Sequence, residues 1–136
     1  MEKERNCKVR IIREATNSRR IQTGLGRIEE MLRARGFLPE DMEEEMWDDG
    51  RMRDGISSIY VGTRREGGLI RRLEEEKRLL YHTQAPRGEG LYLSYLPGIR
   101  LFVAVGDTET GALYGALALA DRIWQEKSDL VADHDL

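Results

Sequence analysis

Four arginines lie close together just after a β-type run: Arg64, Arg65, Arg71 and Arg72. Guanidinium groups grouped in this way can hold a carboxylate or phosphate through paired hydrogen bonds, so an acidic sugar or another anion is the ligand class they fit. The simpler reading is a solvated arginine face that pairs with the acidic segment 40–49, which holds seven carboxylates. Glu44 and Asp48 in that segment can share a helical face and approach a hard cation. The segment nevertheless lacks the glycine and ligand spacing of a calcium loop, and it reads first as a solvated surface.

Other chemistry is poorly supplied. The two histidines, His82 at an expected helix end and His134 near the last residue, make neither a nucleophile relay nor a multi-histidine metal site. Ser57, Ser58 and Ser94 sit in strand-like runs without a Gly-x-Ser-x-Gly elbow. The run 106–111, Gly-Asp-Thr-Glu-Thr-Gly, lacks the Gly-Lys-Ser/Thr ending of a phosphate loop and reads as a turn plus helix cap. Cys7 is the single cysteine, which excludes an internal disulfide or a thiolate cluster within one chain. Tyr92, Tyr95, Tyr114 and Trp124 have the stacking faces that sugars use, but at alternate strand positions and on a helix they more simply fill a core or an interdomain contact. No catalytic residue, metal ligand or cofactor is assigned.

Composition sets the frame. The 136 residues carry 22 Lys and Arg against 25 Asp and Glu, a net charge of -3, so no basic field favours a nucleic acid or an anionic membrane surface. The longest apolar runs, 101–105 and 116–120, are far short of a membrane span, and the first residues show no apolar leader core. A cytoplasmic chain is expected as written, or a secreted one if the sequence is an excised piece. Residues 1–127 are expected to form one domain, with the polar stretch 128–136 as a tail or linker.

The elements follow from periodicity. Val9, Ile11 and Ile12 alternate with charges in a short strand over 8–13, and Asn17 or Ser18 can cap the helix that follows. Ile21, Leu25, Ile28 and Leu32 recur at spacings of four, three and four, and Gly36-Phe37 looks like the glycine C-cap with its apolar follower. Gly24 and Gly26 in the first turns are expected to allow close packing on a strand rather than to build an anion site. Residues 39–55 read as a mobile or irregular insert. A buried strand is expected over 56–63 and a helix over 67–81, with Leu69, Leu73 and Leu80 on one face. Residues 90–95 and 99–106 read as a hairpin broken by Leu96-Pro97-Gly98. Asp107 or Thr108 then caps a helix over 110–125 whose stripe is Leu113, Ala116, Leu117, Ala120 and Ile123. The sum is an α+β domain, a mixed β-sheet with helices packed on it in an α/β sandwich.

The stretch 89–93, Glu-Gly-Leu-Tyr-Leu, is followed by Gly98-Ile99 and the strand 101–106, and then by a helix start containing Gly111, Tyr114, Gly115 and Leu117. It resembles the end of the N-terminal, non-catalytic α/β domain that precedes the catalytic barrel in α-glucuronidases and β-N-acetylhexosaminidases (the hexosaminidase domain 2 type). In those families an "EGY-x-L" strand, a turn, a "v-I-x-G" strand and a helix opening "x-x-G-x-x-Y-G-x-x-x-L" follow one another. Ile59-Tyr60-Val61-Gly62-Thr63 is similar to an upstream "I-x-V/L-G-T" strand of that domain. The resemblance implies an accessory domain in carbohydrate breakdown, on xylan or another glucuronate-bearing glycan, supporting a (β/α)8 barrel in cis or as a partner. The Pro-containing link and Arg-Gly motif that open the barrel have no counterpart in 127–136, so no catalytic role carries over. Tyr114, with Gly115 and Gly111, is then expected to pack against the sheet and to make the interdomain contact. The alternative is a free-standing module that binds an acidic ligand or a protein partner through Arg64 and Arg65.

Overall fold

The computed structural model describes residues 8–13, 18–48, 55–64, 68–79 and 90–125. Within these the order is β1 (Lys8–Arg13), α1 (Arg19–Ala34), β2 (Leu38–Glu43), a 3-10 turn (Glu44–Met46), β3 (Ser57–Thr63), α2 (Gly68–Glu75), β4 (Leu91–Leu96), a second 3-10 turn (Pro97–Ile99), β5 (Leu101–Gly106) and α3 (Glu109–Gln125). The strands form one five-stranded sheet in the order β2-β1-β3-β5-β4. Pairing is parallel from β2 through β5, and β4 returns antiparallel to β5 with Leu91 opposite Gly106 and Leu96 opposite Leu101. Three helices cover this mixed sheet, which is the expected α+β sandwich. No helix among the described residues is long and apolar enough to cross a membrane.

Alternation along the strands creates two cores. On one side Val9, Ile11, Ile59, Val61 and Ala104 meet α1 and α3; on the other Ile12, Tyr60, Leu101, Val103 and Val105 meet α2. β3, at the centre, is buried along its whole length, including Ser57, Ser58 and Thr63. A strand covered on both faces reads as continuous rather than alternating hydrophobicity, which is why ISSIYVGT was readable from sequence.

α1 starts and stops on local signals. The Ser18 hydroxyl accepts from the Ile21 amide at 3.2 Å, satisfying one of the amides left without an intrahelical partner. At the other end Gly36 adopts φ +88°, its amide bonds to the Arg33 carbonyl, and the Phe37 amide bonds to the Leu32 carbonyl at 2.8 Å. This is a Schellman stop, with Phe37 and Leu32 buried in the same core.

Several expectations need correction, among them the helix expected over 67–81, which stops at Glu75 with Lys77 at φ +56° just beyond it. Residues 39–55 are not simply an irregular insert, because Leu38–Glu43 forms an edge strand parallel to β1. Its polarity hides it: the pairing rests on the backbone ladder, on Arg13 Nε to Asp41 at 2.8 Å and on Lys8 to Glu40 at 3.9 Å, while Met42 reaches the α2-side core. Gly24 packs against α3 rather than a strand, since a Cβ there would lie 2.5 Å from the Ala116 Cβ. The stripe of α3 is also displaced. Ala112, Ala116, Leu119 and Ala120 are buried, whereas Leu117 is 37% exposed and Leu113 half-buried. Small residues take the inward positions where α1 and the sheet approach most closely, and Leu119 fills the arc beyond them. The expected residues Leu80 and His82, the 128–136 tail and the Ile123 and Trp124 side chains lie outside the described residues.

Candidate functional site

In open sheets with parallel strands, ligands meet the chain where those strands end at their carboxyl side. Here β1, β2, β3 and β5 bring Arg13, Glu43, Thr63, Arg64 and Gly106 to that edge. The Arg64 Nε donates to Glu74 Oε2 of α2 at 2.6 Å, so its partner is the next helix rather than the acidic segment. Arg13 is shared between Glu29 of α1 and Asp41 of β2. Arg72 lies over the Trp47 ring, 5.3 Å from its centroid, which links the arginine run to segment 40–49. Arg71 is exposed, and Arg65 lies outside the described residues. The arginines of the 64–72 run therefore act at separate points, and the described ones do not converge on one anion.

Glu44 joins three elements through one carboxylate oxygen. Its Oε1 accepts from the Tyr60 hydroxyl at 2.6 Å and from the Leu69 amide in the first turn of α2 at 3.4 Å. The sheet makes room for this bridge at Gly62. Two residues along the same face of β3, a Cβ at Gly62 would lie 2.8 Å from the Tyr60 ring, so the ring runs along the strand toward Glu44 only because position 62 has no side chain. This group is not visible residue by residue, since Glu44 and Asp48 read as a solvated surface and Tyr60 as part of a buried strand. Tyr-x-Gly on one strand face was the signal available. Among the described residues no group of three or more His, Cys, Asp or Glu is placed to hold a metal.

The residues expected at an interdomain contact separate into two kinds. Gly111 is buried, and Gly115 seats α3 on the sheet, where an added Cβ would lie 3.3 Å from the Ala104 Cβ and 3.7 Å from the Leu91 Cβ. Tyr114 does not pack on the sheet. It is 44% exposed, one position round the helix from Gly115, and with Leu117 and the 39%-exposed Leu91 it adds apolar surface to this side of the molecule. The ring points out because the inward arc is filled by Ala112, Gly115, Ala116 and Leu119. Tyr95 stacks with Phe102 on the β4–β5 pair, ring centroids 4.3 Å apart. Tyr114→Ser is expected to leave the free energy of urea unfolding of the chain unchanged to within about 0.5 kcal/mol, as for other exposed positions. A larger loss would place the ring in the fold rather than at its surface.

No protein-family model matches the chain, and no curated protein matches it.

Proposed function

We propose that the chain is a non-catalytic accessory domain of the kind that precedes the barrel of α-glucuronidase-type glycoside hydrolases, supporting a carbohydrate-degrading (β/α)8 barrel and inactive alone. The observation that carries this reading is the path from β4 through β5 into α3. A hairpin feeds directly, through the Thr108 cap, into a helix that lies back on the same sheet. That order, with Gly106, Gly111 and Gly115 where helix and sheet meet, is the arrangement the sequence resemblance calls for. Xylan or another glucuronate-bearing glycan is the substrate class of the supported barrel. The binding-module alternative is weaker, because the Arg64 guanidinium it relies on is held by Glu74.

The test is the intact mass of the native polypeptide purified from its source, with hydrolase activity followed on glucuronoxylan. A mass well above 15.7 kDa, with activity in the same polypeptide, is the expected result. A native chain of 15.7 kDa that neither copurifies with a hydrolase nor changes its activity would overturn the proposal.

A further inference from the structure

The two sides of the sheet are fastened differently. On one, α1 and α3 pack so closely on each other and on the strands that an added Cβ at Gly24 would lie 2.5 Å from the Ala116 Cβ and one at Gly115 3.3 Å from the Ala104 Cβ. On the other, α2 spans Gly68–Glu75 and inserts Leu69, Ile70 and Leu73 into the core. Eight residues are too few for a helix to persist on its own propensity, so α2 depends on what holds it. Three polar fastenings reach it from outside: Glu44 at its first turn, Arg64 to Glu74 near its end, and Trp47 beneath Arg72. Glu44 is the most central of the three, because one carboxylate oxygen joins the turn after β2, the buried Tyr60 of β3 and the positive end of α2. Beside it, Trp47 is only 6% exposed, and its indole Nε1 has no hydrogen-bond partner among the described residues. A buried donor without a partner carries a desolvation cost that is relieved when it reaches water, which favours opening on this side.

We propose that α2 is a latched flap: it opens as a unit, with Glu44 as the latch, while α1, α3 and the sheet stay folded. Opening bares the apolar face made by Ile12, Tyr60, Val103 and Val105. The inference does not depend on the accessory-domain reading.

Native-state amide exchange of the full chain, followed residue by residue by NMR, tests it. In the wild type, amides of residues 72–76 are expected to exchange through an opening of lower free energy than those of residues 28–32 in α1 and 116–120 in α3. Glu44→Ala is expected to speed exchange at 72–76 by about tenfold, the scale of a lost cap, and to leave the other two groups within about twofold. Equal protection of all three helices in the wild type, or equal acceleration of all three in the variant, would overturn the proposal. Should Glu44→Ala fail to fold, Tyr60→Phe keeps the ring and removes only the hydroxyl bound to Glu44. The same selective acceleration is expected there, and unchanged exchange at 72–76 relative to α1 would overturn the latch.

Discussion

Gly106→Ala is expected to cost about 3 kcal/mol or more, a large share of the stability of a small domain. Gly106 ends β5 just before the Thr108 cap of α3, and a Cβ there would lie 2.2 Å from the Ala112 nitrogen and 2.5 Å from the Gly111 carbonyl carbon. Both neighbours are backbone atoms, so no side-chain rotation relieves the overlap. The first turn of α3 has to lift by on the order of an ångström, well inside the range where close-packed contacts are lost. Lifting it opens the bond from the Gly111 amide to the Thr108 hydroxyl, now 3.1 Å, and withdraws Ala112 and Ala116 from the core. Urea unfolding followed by circular dichroism measures the loss. A cost below about 1 kcal/mol would show that the strand–helix junction accommodates a side chain, and the close seating described for α3 would be wrong.

The second large effect is at the crossing of α1 and α3. Gly24→Ala would put a methyl group 2.5 Å from that of Ala116, well inside the roughly 3.5 to 4.0 Å at which two carbons attract. Intrinsic propensity favours alanine over glycine in a helix by about 1 kcal/mol, yet the substitution is expected to destabilise by about 2 kcal/mol, because the helices must separate. The decisive measurement is a double-mutant cycle with Ala116→Gly. Removing the facing methyl restores the space, so the double variant is expected to be more stable than the sum of the single changes predicts, by about 2 kcal/mol. Additive losses would mean that the two positions do not share the contact.

These glycines show where the sequence is legible and where it is not. The strands 8–13 and 56–63, α1 with both its caps, the hairpin and the last helix follow from signals within a few residues: apolar periodicity, Ser18, Gly36 and Thr108. β2 was missed because its composition, LPEDME, is that of a solvated loop, and its strand conformation comes from pairing with β1, which lies 30 residues earlier in register. The inward face of α3 was misplaced for a related reason. Leu113, Leu117 and Leu119 are equally apolar on paper, and the small residues facing α1 decide which of them turns inward. Glu44, Tyr60 and Trp47 come from β3 and from the segment after β2, and they meet only because the β2-β1-β3 order brings those elements to one side. The arginine run was visible as a cluster in sequence, but its members diverge in space to Glu74 and Trp47.

The polar composition of β2 bears on how copies of this chain meet one another. A strand with only one hydrogen-bonded neighbour offers its other backbone side to any extended segment, and stacking of such strands is a route to insoluble aggregates. Along this one, Glu40, Asp41 and Glu43 are exposed, and Pro39 has no amide hydrogen to donate. Two copies approaching through this margin bring six carboxylates together, of which Lys8 and Arg13 of each copy offset only Glu40 and Asp41, and the proline interrupts any ladder between them. The residues that make β2 a poor strand by composition thus act as gatekeepers, keeping the sheet from growing past five strands on that side.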